Sequence, residues 1–150
     1  MINYTKIQNS FIKELNKGVK FYYLEVGFNI YASIDSKIIY SFPKEKFFLD
    51  YERFGIKEEN ILKILAYDYT IPIIDSKEET DLKELTGRLF LTPDNKKIYL
   101  NPENIKTLGK DYELFWALGT PIIAAKKDNV ILSLFSMIRV EDSVTSTNFR

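Results

Sequence analysis

The sequence predicts a single α+β domain with a mainly antiparallel sheet built from about three hairpins and helices packed on one side of it. First, Tyr4, Ile7, Phe11, Ile12 and Leu15 recur at helical spacing and Gly18 follows, a residue suited to the left-handed end of a helix. Second, short runs rich in Phe, Tyr, Ile and Val follow one another across Asp- and Asn-containing turns, as paired strands do. Third, proline stands where helix starts tolerate it, at Pro43 and Pro102. A length of 150 residues suits one domain.

Taken in order, the first helix gives way to strands at Lys20–Val26 and Asn29–Ser33, broken at Gly27. Asp35-Ser36 turns the chain into Lys37–Ser41, the first hairpin, because Asp can bond its own following backbone. Pro43 then opens a helix with Phe47, Phe48, Tyr51 and Phe54 on one face, and Gly55 separates it from a second helix, Lys57–Ala66. Thr70–Ile74 reads as a short strand whose Pro72 belongs at a sheet edge or strand start. Ser76 and Glu79 have capping-box spacing for a short helix that carries Leu82 and Leu85 and closes at Gly87.

Arg88–Thr92, the Asp94-Asn95 turn and Lys97–Leu100 form the second hairpin. Asn101-Pro102 caps and starts a helix that ends at Gly109, and Asp111 caps a further one that buries Leu114, Phe115 and Leu118. Pro121–Ala125 and Val130–Ile138 make the third hairpin. The domain is expected to span residues 1–140, with 141–150 a polar tail.

A shift of about 59 residues lays Ile30-Tyr31 over Leu89-Phe90, Asp35 over Asp94, Ile39-Tyr40 over Ile98-Tyr99 and Pro43 over Pro102. After a two-residue insertion, Asp50-Tyr51-Glu52 and Phe54 correspond to Asp111-Tyr112-Glu113 and Phe115, and Trp116 aligns with Gly55. Two readings stay open: an internal duplication, or hairpins that resemble one another because the chain is rich in Lys, Ile and Asn. Duplication would put Tyr51 and Tyr112 in equivalent places on helices on one side of the sheet.

Composition narrows the chemistry. Lys plus Arg equals Asp plus Glu at 21 each, without the positive field on which non-specific nucleic-acid or anionic-membrane binding relies. The basic, aromatic stretch at 17–23 reads as a sheet edge in preference to a single-strand platform. With neither Cys nor His, thiolate nucleophiles, His-based triads and Cys/His zinc sites are excluded, and 21 acidic residues are spread without singling out a pair. No catalytic residue, cofactor or metal is expected. The absence of disulfides and of a signal-like apolar segment in the first residues points to the cytoplasm.

The expected activity is therefore binding. Trp116 is the only tryptophan, a residue type over-represented among the energetic anchors of interfaces, and is either such an anchor or part of the core. Tyr51 with Glu52 and Tyr112 with Glu113 follow Asp residues and serve either as exposed contacts or as ordinary capped helix starts. Trp116, Tyr112, Glu113, Tyr51 and Glu52 are the partner-binding candidates. The alternative is a sensing domain with a small-ligand pocket between the halves, lined by Tyr31, Tyr40, Phe90 and Tyr99.

The segment Gly87-Arg88-Leu89-Phe90-Leu91-Thr92-Pro93-Asp94-Asn95-Lys96-Lys97-Ile98-Tyr99-Leu100, followed by Gly109-Lys110-Asp111-Tyr112-Glu113-Leu114-Phe115, resembles the SMI1/KNR4-type (SUKH) immunity superfamily. The resemblance lies in a hairpin with a polar turn and then a small-acidic-aromatic segment ending in Phe. It implies a small α+β protein that binds and blocks a toxin, with no catalytic residue to transfer. The leading expectation is a non-enzymatic inhibitor of a toxin or defence protein, of immunity or phage anti-defence type.

Overall fold

The computed structural model describes residues 2–35, 37–82 and 85–138; the polar tail expected at 141–150 lies outside them. Helix α1 spans Tyr4–Leu15, and the Asn3 side chain caps it by accepting the Lys6 N–H at 3.0 Å. Gly18, at φ +85°, ends it where the Val19 N–H bonds the Glu14 carbonyl at 2.9 Å. Its apolar face buries Ile7 and Phe11, with Gln8 fully buried beside them.

Three strands then run as a meander: β1 Phe21–Val26, β2 Asn29–Ser33 and β3 Ile38–Pro43. A 3-10 turn at Lys44–Lys46, helix α2 Tyr51–Phe54 and strand β4 Gly55–Lys57 follow, and β4 lies parallel to β1. After helix α3 Asn60–Leu65 comes a second meander, β5 Tyr69–Leu82, β6 Leu85–Leu91 and β7 Lys97–Leu100. Helix α4 Pro102–Lys106, β8 Glu113–Ala117, β9 Ile122–Lys127 and β10 Val130–Ser136 complete the described chain.

All ten strands share one sheet in the order β4-β1-β2-β3-β10-β9-β8-β5-β6-β7. Beyond β10 the chain crosses to the far end of this order, where the Ile138 N–H bonds the Tyr99 carbonyl at 2.8 Å. That antiparallel bridge closes β10, β9, β8, β5, β6 and β7 into a ring, to which β3 attaches the first meander along Ser133–Phe135 of β10.

Strand alternation divides the side chains between two faces. Inside the ring and under α1 lie Phe21, Ile30, Phe42, Phe90, Ile98, Leu100, Leu114, Ile123 and Phe135. On the other face Leu24, Ile39, Tyr69, Ala117, Ala124 and Leu134 pack with Ile61 of α3. The helices therefore cover both faces, which corrects the expectation of one-sided packing. Strands apolar on both faces need a cover on each.

The sheet is also not three separate hairpins. Three expected helices differ for identifiable reasons. The one placed after Pro43 is a 3-10 turn and a four-residue helix, with Phe47 buried but Phe48 and Phe54 exposed. The one placed between Ser76 and Gly87 is a long hairpin in which Ser76 Oγ donates to the Leu89 carbonyl at 2.7 Å and Arg88 ties the two strands through Asp75. Leu82 lies across Gly87 there: a Cβ on that glycine would sit 2.5 Å from Leu82 Cδ1. The helix placed after Asp111 is β8, buried on both faces, so its apolar run lacks the alternation that marks a half-exposed strand.

The two similar segments lie within four-strand units of the same spatial order, β4-β1-β2-β3 and β8-β5-β6-β7. Their fourth strands run in opposite senses, β4 parallel to β1 and β8 antiparallel to β5. Tyr51 begins α2 whereas Tyr112 precedes a strand, so the two are not equivalent.

Candidate functional site

The end of the ring at the β6–β7 turn carries an open groove. Its floor comes from β8: Leu114 and Trp116 alternate onto the inner face, Leu114 is buried, and Trp116, two residues nearer the strand end, is half-buried. The indole Nε1–H donates to the Thr120 carbonyl at 2.8 Å, which fixes the ring orientation. Thr120 is itself held, its hydroxyl donating to the Ala117 carbonyl at 2.8 Å and accepting the Ile122 N–H at 3.2 Å.

Opposite the indole stands the β6–β7 turn. The Thr92 hydroxyl donates to the Asp94 carboxylate and accepts the Lys96 N–H at 2.9 Å, and Asn95 takes a left-handed φ of 65°. Ile71, which pairs with Trp116 across β5 and β8, and the 65 % exposed Leu118 complete a groove of about 310 Å³ with Pro93, Asp94 and Lys96. The Lys96 ammonium lies 5.7 Å from the indole centroid, within cation–π range. The Thr92 hydroxyl, helped by the Lys96 charge, holds the Asp94 carboxyl below the usual carboxylate range. This arrangement suits one bulky apolar side chain laid on the indole between Ile71 and Leu118, with a cation at the rim.

The other candidates lie elsewhere. Tyr112 is half-buried near the root of the β5–β6 arm, where burial raises its hydroxyl pKa with Asp75 adding to it. Arg88 donates twice to Asp75, at 2.9 and 2.8 Å, and reaches Glu79 at 3.6 Å. That bond pair holds Asp75 below its ordinary value, so its contribution to stability is present above about pH 4 and fades as pH falls through the lower folded-state value. Glu113 is exposed at the start of β8, opposite Lys126.

The Tyr51 hydroxyl donates to Glu25 at 3.0 Å, its ring stands 5.0 Å from Tyr23, and Lys44 bonds the other Glu25 oxygen. Glu52 is exposed beside it. These two residues sit at the β4 edge, with β1, β2, β3, β10 and β9 between them and β8, so they do not join Trp116 in one surface.

Nor do Tyr31, Tyr40, Phe90 and Tyr99 converge. Tyr40 and Phe90 are buried inside, with the Tyr40 hydroxyl on Thr107 at 3.1 Å; Tyr31 packs on the opposite face, and Tyr99 is half-buried opposite Leu89.

Ile71, Pro93 and Lys96 were not among the site candidates of the sequence, and Leu118, expected on the buried side of a helix, is exposed beyond the end of β8. The Asp94-Asn95 turn was legible, but only the β5–β8 register brings it against Trp116. Among the described residues no group of three or more His, Cys, Asp or Glu is placed to hold a metal ion, and no helix is long and apolar enough to cross a membrane. No family model matches the chain, and no curated protein or solved structure matches it either.

Proposed function

We propose that the chain is a non-enzymatic inhibitor, of immunity or phage anti-defence type, that works in the cytoplasm by docking a partner protein on the Trp116 groove. The observation that carries this reading is the indole itself, held by Thr120 and still open to solvent beside an exposed Leu118. A rigid aromatic with apolar neighbours and a charged rim has the make-up of an interface anchor. The resemblance to the SMI1/KNR4-type superfamily supports the same reading, because its segment from Gly87 to Phe115 includes the turn that walls the groove and the strand that carries its floor.

The test is capture of partners from the source cell on the tagged full chain, with Leu118→Asp and Trp116→Ala beside it. Leu118 is exposed, so its replacement leaves the fold intact, and both variants are expected to weaken capture by about 2 kcal/mol or more. A partner held equally well by both folded variants contradicts the assignment of the groove. Stabilisation by a metabolite panel, with no protein captured, contradicts protein binding itself.

A further inference from the structure

We infer that the Trp116 groove takes an acidic-apolar segment of its partner, with one large apolar side chain on the indole and, beside it, a carboxylate on the Lys96 ammonium. The inference rests on the protein-binding reading and adds the chemistry of what is bound. Strand β8 carries two rings under lysine ammonium groups, one on each face. Lys126 stands 4.9 Å from the Phe115 centroid and donates to the Tyr69 carbonyl at 2.8 Å, so an acceptor inside the fold matches its charge. Lys96 stands 5.7 Å from the Trp116 centroid, and among the described residues its ammonium enters no ion pair and donates no hydrogen bond.

Asp94, the one carboxylate among the described lining residues, is engaged in its own turn. It accepts the Thr92 hydroxyl, and backbone amides at Asp94 and Lys96 help to hold it ionised. The rim therefore presents a spent acceptor and an unspent donor.

Lys96 is exposed in the free chain, so solvent serves its donors. A side chain seated on the indole removes part of that solvent, because the ammonium lies over the same ring. A partner offering only apolar groups would leave a desolvated charge without an acceptor, which is costly. A carboxylate turns that cost into a charge-assisted hydrogen bond and adds the attraction of opposite charge, which a carbonyl lacks. The acid and the apolar side chain must reach neighbouring points. In an extended segment that places them two positions apart, on one face and roughly 6–7 Å from each other.

The probe is a library of randomised decapeptides displayed on phage, selected on the full chain and counter-selected on Leu118→Asp, whose exposed site leaves the fold intact. Enriched peptides are expected to carry Asp or Glu two positions from Phe, Leu or Met. Remade free of tryptophan, they are expected to shift the emission of Trp116, the only tryptophan of the chain. Lys96→Glu keeps the backbone amide that bonds Thr92 and is expected to weaken these peptides about tenfold, with binding recovered when the acid of the peptide is replaced by lysine. Groove-dependent peptides without an acid, or acidic peptides bound equally by wild type and Lys96→Glu, overturn the inference and leave the groove reading standing. Enrichment that does not survive the counter-selection, or none at all, overturns both.

Discussion

Replacing Phe42 with alanine is expected to destabilise the chain by about 3–5 kcal/mol, the cost of removing a fully buried aromatic from a close-packed core. Phe42 sits at 0 % exposure on β3, with ring centroids of Tyr4 at 5.6 Å, Phe11 at 6.2 Å, Tyr40 at 6.3 Å and Phe47 at 4.9 Å. It therefore joins α1, the first meander and the turn after β3. The rings around it are held by backbone elements on several sides, so the vacated space cannot collapse, and the cavity cost adds to the lost burial. Phe42→Leu keeps most of the volume and should cost less than half as much. Urea denaturation of the pair measures this, and an alanine variant as stable as wild type would show that α1 does not depend on β3.

Gln8→Leu is the second large effect, and it arises from hydrogen bonding. The Gln8 side chain donates to the Tyr4 carbonyl at 3.2 Å and the Lys46 carbonyl at 2.9 Å and accepts the Phe48 N–H at 2.8 Å, all from a position with no exposure. It ties α1 to the irregular stretch between β3 and α2, whose backbone groups have no ladder to join. Leucine fills the space but takes their partner from the Lys46 carbonyl and the Phe48 N–H, two part-buried groups, at about 1–3 kcal/mol for each that water does not reach. A loss of about 2–4 kcal/mol is expected, with faster hydrogen exchange at the Phe48 amide. Stability and Phe48 protection both unchanged would mean that water replaces the side chain there.

The sequence made the small, local features legible. Asn29–Ser33 and Lys97–Leu100 have the expected bounds, and Asn101 caps α4 by accepting the Glu103 N–H at 3.0 Å. Asp35 accepts the Lys37 N–H at 2.9 Å, as an Asp at a tight turn should. Each of these depends on residues a few positions apart.

What escaped depends on distant partners. β8 reads as a helix because Leu114, Phe115 and Leu118 fit that period, and only its place between β5 and β9 makes it a strand buried on both faces. The β5–β6 arm reads as a helix because Ser76 and Glu79 have capping-box spacing and Gly87 could close it; the ladder and the Arg88 clasp with Asp75 and Glu79 decide otherwise. Gln8 falls on the apolar stripe of α1, an anomaly visible in the sequence, yet two of its three partners lie 38 and 40 residues away.

The site shows the same division. Trp116 was singled out by its residue type, and it is both packed against the core and open to the groove, so the choice between anchor and core does not divide as posed. The groove exists because the β5–β8 register, with β6 beside β5, brings the turn at 92–96 against Trp116, a relation that no local pattern carries. The comparison of Trp116 with Gly55 gains a physical meaning: both lie on the fourth strand of their unit, but a Cβ at Gly55 would meet the Tyr51 carbonyl oxygen at 2.7 Å. Only the second unit has room for a side chain at that place.

The docking of a partner protein on the Trp116 groove is tested most directly by amide hydrogen exchange on the full chain with and without the captured partner. The account predicts new protection at 92–97 and 116–120, the two walls of the groove, with α3 and the β1–β2 turn unchanged. Protection confined to α3 or to the β4 edge, with the groove amides exchanging as in the free chain, would contradict it.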